Sequence, residues 1–230
     1  MQFSTCSAAG YCGGKAIFAG LRDINLSDLL LKAVPILWAL TVHECAHAWV
    51  AYKCGDSTAL YKGRVSLNPL AHLDVFGTIA FFLAGFGWAK PVPVNPYNFR
   101  YPSRDSILVS IAGVTANLLS ALAFAGIFRL LPDPSPGTLG VIRTICFLSV
   151  VMNLSLLFFN LIPLPPLDGS HVLEELLPWR IKERFWYQFV QYGPFLLLGL
   201  VFLGGPLLGY IIGTPVWFIT RHLLGLPDFS

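Results

Sequence analysis

Three ionisable side chains, His43, Glu44 and His47, lie close together in an otherwise apolar stretch of the chain. Histidines four residues apart project from one face of a helix, so both imidazoles can bind one ion. Zinc suits such a pair, because neutral imidazole binds it well and the ion has no redox chemistry. Glu44 is poorly placed to be a third ligand, but well placed to move a proton from water to a leaving amine. The spacing therefore predicts zinc-dependent hydrolysis.

Residues 43–47 form an HExxH motif. Its apolar surroundings make it a stronger indication of a metal site than the motif would be by itself. A chance match would leave three ionisable groups in a hydrophobic helix, and such groups cost several kcal/mol each at membrane depth unless they are paired or liganded. A bound metal removes that cost. We therefore prefer the metal interpretation to a chance match.

Catalytic zinc takes three protein ligands and a water, so one ligand remains to be found. The candidates are His72, His171, Glu174, Glu175 and Asp168. Asp168 is favoured because it ends an apolar run between prolines and Gly169, where the backbone must turn and an acid needs a strong partner. His72 is expected at an interface or strand end. The others are expected to face water on an amphipathic helix.

The composition predicts an α-helical polytopic membrane protein. Of 230 residues, 55% are hydrophobic and 12% are charged, against roughly 25% charged in an average soluble domain. The length allows about four to six membrane helices. The net charge of +3 is spread along the chain, so no nucleic-acid partner is expected. Five cysteines without paired metal spacing indicate neither a disulfide framework nor a cysteine zinc site, and pairing of Cys6 with Cys12 stays open.

Hydrophobic runs and turn residues divide the chain into three parts. An N-terminal tail (1–28) precedes a catalytic membrane core (29–186), and a C-terminal helical hairpin (187–230) follows it. Within the core we predict spans at 29–52, 106–131 and 139–163.

A re-entrant segment with an extended strand is predicted between the first two core spans, over 62–100. Its apolar part is short and rich in glycine, which favours a segment that enters and leaves on one side. The following KPVPVNPYNF alternates valine and proline, as an extended edge strand does. Its Val92 and Val94 are candidate substrate-binding residues, since an unwound transmembrane substrate can pair with such an edge.

Charge distribution predicts which side of the membrane the site faces. If His43, His47 and Asp168 hold one ion, only one span can separate the ends of their helices. That layout puts ten of the 15 lysines and arginines on the side of the site. The positive-inside rule then predicts a multi-pass protein whose site opens toward the cytoplasm.

Several motifs together resemble the site-2 protease family of intramembrane zinc metalloproteases, in a short form without a PDZ or CBS domain. HECAH is followed in order by GRVSLNP, GWAKPVPVNP, AGVTAN and NLIPLPPLDG, across most of residues 40–170. The resemblance implies cleavage of transmembrane protein substrates within the lipid bilayer, as in regulated intramembrane proteolysis. Whether copies of the chain form a homo-oligomer is left open.

The same resemblance implies roles for single residues. One zinc ion is bound by His43, His47 and Asp168, with Glu44 as the general base. Asn160 is implied in substrate positioning or oxyanion support. Asn117 occupies a recurring family position, for which substrate binding and an interhelical hydrogen bond are both open.

Two other classes of protein remain as alternatives. A membrane zincin of another family would take Glu174 or Glu175 as its third ligand, which leaves PLPPLDG unexplained. A zinc transporter would be expected to have paired polar positions along several spans. An inactive zinc-binding scaffold would be expected to lack Glu44 or one of the metal ligands. Here the polar residues converge on one site.

Overall fold

The computed structural model describes residues 26–84, 87–132 and 137–226, which are mainly helical. Within these ranges the helices longer than eight residues are α1 (Leu26–Cys54), α2 (Val75–Ala84), α3 (Pro102–Leu130), α4 (Thr138–Asn160), α5 (Asp168–Leu176), α6 (Tyr187–Leu203) and α7 (Thr214–Leu224). Short helical turns lie at Thr58–Tyr61, Pro69–Ala71, Pro96–Asn98, Trp179–Ile181, Lys182–Trp186, Gly205–Leu208 and Gly209–Gly213. Most of the predicted tail, with Cys6 and Cys12, lies outside the described residues.

Four helical stretches are long and apolar enough to cross a membrane, within the part of the chain that the structure describes. They are Pro102–Leu130, Thr138–Asn160, Trp179–Leu203 and Gly205–Leu224. The first two correspond to the predicted spans at 106–131 and 139–163. The last two lie in or next to the predicted hairpin. These helices agree with a helical multi-span membrane protein.

Helix α1 is 29 residues long but is not among these four stretches. Its second half carries His43, Glu44 and His47, whose polar side chains lower its mean hydropathy. The candidate site residues therefore lower the hydropathy of the helix that carries them. Spanning by 29–52 stays a prediction.

Helix α3 lies at the centre of the fold and packs against both α1 and α4, which also contact each other. Small residues four apart on α3, Ala121 and Ala125, are buried and allow close approach of neighbouring helices. They belong to a core cluster with Phe128, Cys146, Val150, Leu154, Val216 and Leu224. This packing holds α1, α3 and α4 in fixed relative positions, and the polar site lies between them.

The predicted β-strand within 62–100 is not confirmed. The described residues hold no strand, and the segment contributes only an isolated antiparallel bridge between Leu73 and Ala89. The physical reason is that Pro91 and Pro93 have no backbone N–H and therefore cannot extend a hydrogen-bonded ladder. Helix α2 occupies the apolar part of the segment.

Arg64 holds this segment in place at its start. Its side chain is buried, and its guanidinium donates to the backbone carbonyls of Ala71, Lys90 and Pro91. The backbone N–H of Lys90 donates in turn to the carbonyl of His72 at 2.8 Å. The chain before α2 is thereby joined to the chain after it.

Asp56 holds the other end of the segment. Its fully buried carboxylate accepts hydrogen bonds from the Asn95 backbone at 2.7 Å and from the Asn98 side chain at 2.8 Å. Burial alone would raise the pKa of Asp56, but these bonds and those from Thr58 outweigh burial and lower it. An ionised Asp56 therefore fixes residues 95–98 against the end of α1.

Candidate metal centre

His43, His47 and Asp168 come together at one point in the structure. The two Nε2 atoms are 3.0 Å apart. Oδ2 of Asp168 lies 3.2 Å from Nε2 of His43 and 3.3 Å from Nε2 of His47. Both histidines are buried, and Asp168 is half-buried. Three potential ligand atoms thus face one another across a very small space.

Helix α1 supplies the two histidines from one face, as their spacing predicts. Asp168 is the first residue of α5, and the next residue explains its position. A Cβ on Gly169 would lie 2.5 Å from the carbonyl oxygen of Leu161. Glycine therefore lets the start of α5 fold back closely onto the end of α4, which brings Asp168 to the histidines.

The outer nitrogen of each imidazole faces an oxygen atom. Nδ1 of His47 lies 2.7 Å from the backbone carbonyl oxygen of Val109. Nδ1 of His43 lies 2.7 Å from Oδ1 of Asn117. Because both oxygens accept hydrogen bonds, each Nδ1 carries a proton, and in the neutral imidazole the lone pair is then on Nε2. That tautomer is the one that binds a metal through Nε2.

In this neutral tautomer three acceptor atoms contact one another: Nε2 of His43, Nε2 of His47 and Oδ2 of Asp168. Oδ2 of Asp168 is buried and has no hydrogen-bond donor, and the two Nε2 atoms present lone pairs toward it. Such a group is repulsive unless a proton or a metal ion lies within it. Nitrogen and oxygen ligands about 2.0 to 2.2 Å from a tetrahedral zinc ion are about 3.3 to 3.6 Å apart, close to the separations observed here. The donor set therefore fits zinc.

Gly113 of α3 allows the two rings to approach that helix. A Cβ at this position would lie 2.4 Å from Nε2 of His47 and 2.5 Å from Cε1 of His43. Contacts this short are excluded, so only glycine fits beside the imidazoles. Gly113 and Asn117 are four residues apart, so the face of α3 that leaves room for the rings also binds His43.

Asn117 and Asn160, the two asparagines singled out from the sequence, occupy different surroundings. Asn117 is fully buried, and its contact with His43 is an interhelical hydrogen bond, one of its two predicted roles. Asn160 is half-buried at the end of α4, where its Nδ2 donates to the carbonyl of Leu156 at 2.9 Å.

The rival third ligands lie away from the three converging atoms. His72 is buried, and its Nε2 lies 2.8 Å from the carbonyl oxygen of Ser66. Lys182 pairs with Glu174 at 3.3 Å and with Glu175 at 3.7 Å. His171 is exposed and lies 4.0 Å from Glu174. The described residues bring only Asp168 to the histidine pair.

Sequence reasoning missed two residues that support the site, Gly113 and Asn153. Asn153 accepts a hydrogen bond from Asn117 at 2.9 Å. A polar asparagine in the middle of the apolar run VVMNLSLL was a usable signal, since such a group needs a partner in a membrane helix. The contribution of Val109 is a backbone carbonyl, for which the side-chain pattern has no signal.

Comparison with known proteins gives a consistent result. The model of Peptidase family M50 matches residues 136–200. A Bacillus subtilis protein named "Putative zinc metalloprotease YwhC" is 43% identical over 193 residues, which cover 81% of this chain and 86% of that protein.

More distant relatives carry similar names. "Putative zinc metalloprotease Rip2" of Mycobacterium tuberculosis is 31% identical over 185 residues, or 79% of this chain and 70% of the relative. "Putative zinc metalloprotease MJ0611" of Methanocaldococcus jannaschii is 27% identical over 198 residues, which cover 85% of each chain. No solved structure shows a significant match.

Proposed function

The chain belongs to peptidase family M50, and on that premise we propose that it is a zinc metalloendopeptidase of the site-2 type, hydrolysing peptide bonds in or near transmembrane segments. One observation carries this proposal. Both imidazoles pack against Val109, Gly113 and Asn117 of α3, which is itself a candidate membrane span. A hydrolytic site at that depth acts on peptide bonds that are themselves in the membrane.

In this proposal His43, His47 and Asp168 hold one zinc ion. When bound, zinc supplies Lewis-acid chemistry, polarising a carbonyl and lowering the pKa of water. Glu44 takes a proton from the attacking water, whose oxygen bonds to the scissile carbon. As the carbon–nitrogen bond breaks, Glu44 returns that proton to the leaving amine. Both protonation states of Glu44 are thereby used in one turnover.

We assign Asn160 to substrate positioning. It stands at the end of α4, eight residues before the proposed ligand Asp168. One N–H of its amide is used by Leu156. Its oxygen and second N–H have no partner among the described residues, so they are free to bind a substrate amide or the developing oxyanion.

We propose that the segment holding Val92 and Val94 binds an unwound substrate as an added strand. Val94 packs on a cluster that includes Val109, the residue whose carbonyl accepts from His47. Arg64 donates to the carbonyls of Lys90 and Pro91, and Asp56 accepts from the backbone N–H of Asn95. Among the described residues, no hydrogen bond involves the backbone groups of Val92 or Val94. Backbone groups two residues apart point to the same edge, as strand addition requires.

Val92→Pro tests this strand addition. The change removes one backbone N–H while keeping an extended conformation between two prolines, and the loss of one hydrogen bond is expected to lower kcat/KM by about 3- to 10-fold. Zinc content should not change. Val92→Ala keeps the N–H and is the matched control. Equal rates for Val92→Pro and the parent would contradict the proposed pairing.

Orientation and organisation follow the predicted topology. We propose a catalytic core at 29–186, a C-terminal hairpin at 187–230 and a site open to the cytoplasm. The support is that this predicted topology would put ten of the 15 basic residues on the side of the site. Lipid and transmembrane proteins are the proposed partners.

The proposed activity is tested with purified protein in vesicles. The probes are a fluorogenic transmembrane peptide and an unfolded soluble peptide of similar length. We expect zinc-dependent cleavage of the transmembrane peptide and little of the soluble one. Preference for the soluble peptide would favour a zincin acting at the membrane face, and one bound zinc without cleavage of either peptide would favour an inactive zinc-binding protein.

A further inference from the structure

A row of buried amides connects His43 to the interior of α4. Oδ1 of Asn117 faces His43, and Nδ2 of Asn117 lies 3.0 Å from the carbonyl oxygen of Ala39 and 2.9 Å from Oδ1 of Asn153. Nδ2 of Asn153 in turn donates to the carbonyl of Ser149 at 2.8 Å. Both asparagine side chains are fully buried. No water is needed to complete these bonds.

Two backbone carbonyls determine the direction of the whole row. A carbonyl oxygen only accepts, so Ser149 requires Asn153 to present its N–H₂ there and its oxygen to Asn117. Ala39 and Asn153 then offer two acceptors on one side of Asn117. The amide must direct both of its N–H groups to them, and its oxygen is left facing His43.

This direction decides which nitrogen of His43 can bind metal. With an oxygen facing it, Nδ1 must carry the proton, and the lone pair is on Nε2. A flipped amide would donate to Nδ1, place the proton on Nε2 and block the nitrogen that faces Asp168. His47 needs no orienting side chain, because a backbone carbonyl already faces its Nδ1.

We propose that Asn117, oriented by Asn153 and Ala39, is a positioning residue that holds His43 in the tautomer that binds zinc. The inference deepens the metal site on which the proposed function rests. It differs from a purely structural role, in which the N–H groups of Asn117 would only join α1, α3 and α4. The two roles use different atoms of one amide, so substitutions can separate them.

Asn117→Leu and Asn117→Asp make this separation. Leucine removes both the acceptor and the donors, whereas aspartate keeps an acceptor for His43 and loses both donors. We expect zinc affinity, measured on the purified full chain by competition with a fluorescent chelator, to fall about 10- to 100-fold for Asn117→Leu. Asn117→Asp should lose clearly less zinc affinity than Asn117→Leu, even though its second oxygen faces the carbonyl of Ala39 and Oδ1 of Asn153. Equal losses in the two variants would show a structural clamp and overturn the proposal.

Thr115→Val is the matched control on the same helix. Thr115 is exposed, and its hydroxyl donates only to the carbonyl of Ile111, so zinc affinity should not change. A loss equal to that of Asn117→Leu would make the effect non-specific and contradict the inference.

A measurement on the parent chain decides the matter even if both variants fail to fold. The chain has five histidines, so ¹⁵N spectra of the zinc-loaded protein can be assigned ring by ring. We expect His43 to carry its proton on Nδ1 and to bind zinc through Nε2, and binding through Nδ1 would overturn the proposal. A parent chain that binds no zinc would contradict the metal site itself, whereas zinc binding unaffected in Asn117→Leu would contradict only this inference.

Discussion

Glu44→Gln is expected to lower the rate of peptide cleavage by about 10²- to 10⁴-fold, the usual contribution of a positioned acid–base group. Glutamine has nearly the same shape as glutamate but cannot take a proton from water at neutral pH. His43, His47 and Asp168 are untouched, so one zinc ion per chain should remain. Cleavage rates on the transmembrane peptide and zinc content by mass spectrometry check both halves of this expectation.

Glu175→Gln is the control with the same chemical change at another place. Glu175 pairs with Lys182 and lies away from the three converging ligand atoms, so its variant should cleave at the parental rate. Retained cleavage by Glu44→Gln would remove Glu44 from its proposed role. Loss of zinc from that variant would instead indicate that Glu44 supports the metal.

Asp168→Asn is expected to weaken zinc binding more strongly than the about 10- to 100-fold typical of lost outer-shell partners, because it changes a direct ligand. The amide is neutral and cannot compensate the charge of the ion. Zinc affinity measured by chelator competition tests this expectation, and cleavage should fall in parallel because His43 and His47 alone leave the site short of a ligand.

Glu174→Gln is the informative control for that variant. Glu174 is a rival third ligand on sequence grounds, but it pairs with Lys182 at 3.3 Å. Its variant should therefore keep full zinc affinity. The opposite pattern, with zinc retained in Asp168→Asn and lost in Glu174→Gln, would contradict the assigned ligands and support a zincin of another family.

The sequence was most informative where chemistry and helix periodicity coincide. Two histidines four residues apart must share a face, and that spacing needs no tertiary information. Asp168 was harder, because only its setting among prolines distinguished it from several other acids and histidines. Its approach to the histidines depends on Gly169 folding α5 against Leu161, a contact that the spacing of residues does not specify.

The strand predicted within the segment 62–100 shows what a local sequence pattern cannot determine. Alternating valine and proline excludes a helix, and residues 90–95 form neither a helix nor a strand. A strand also needs paired N–H groups, which prolines at every second position remove. The segment is instead held by the side chains of Arg64 and Asp56, and their long-range partners leave no local pattern.

The environment of Asn117 could not be predicted for a similar reason. Its spacing from Gly113 places both on one face of α3, but the partner of that face depends on how the helices pack. The acceptors that orient its amide include the backbone carbonyl of Ala39, which every residue type would offer. Helix periodicity groups Gly113 with Asn117 once both are known, but only the packed structure identifies the hydrogen bonds of Asn117.

The proposed ligands His43 and Asp168 lie 125 residues apart in the sequence, and this separation affects stability as well as catalysis. An ion that binds only the folded arrangement stabilises it by mass action, by about 4 kcal/mol when free metal is 1,000 times its dissociation constant. The ion then acts as a reversible cross-link between α1 and the start of α5. In a metal-starved cell, newly made chains would lack this cross-link. A larger fraction of them would be unfolded and open to degradation by quality-control proteases. Metal supply would thus set the amount of this protein as well as its activity.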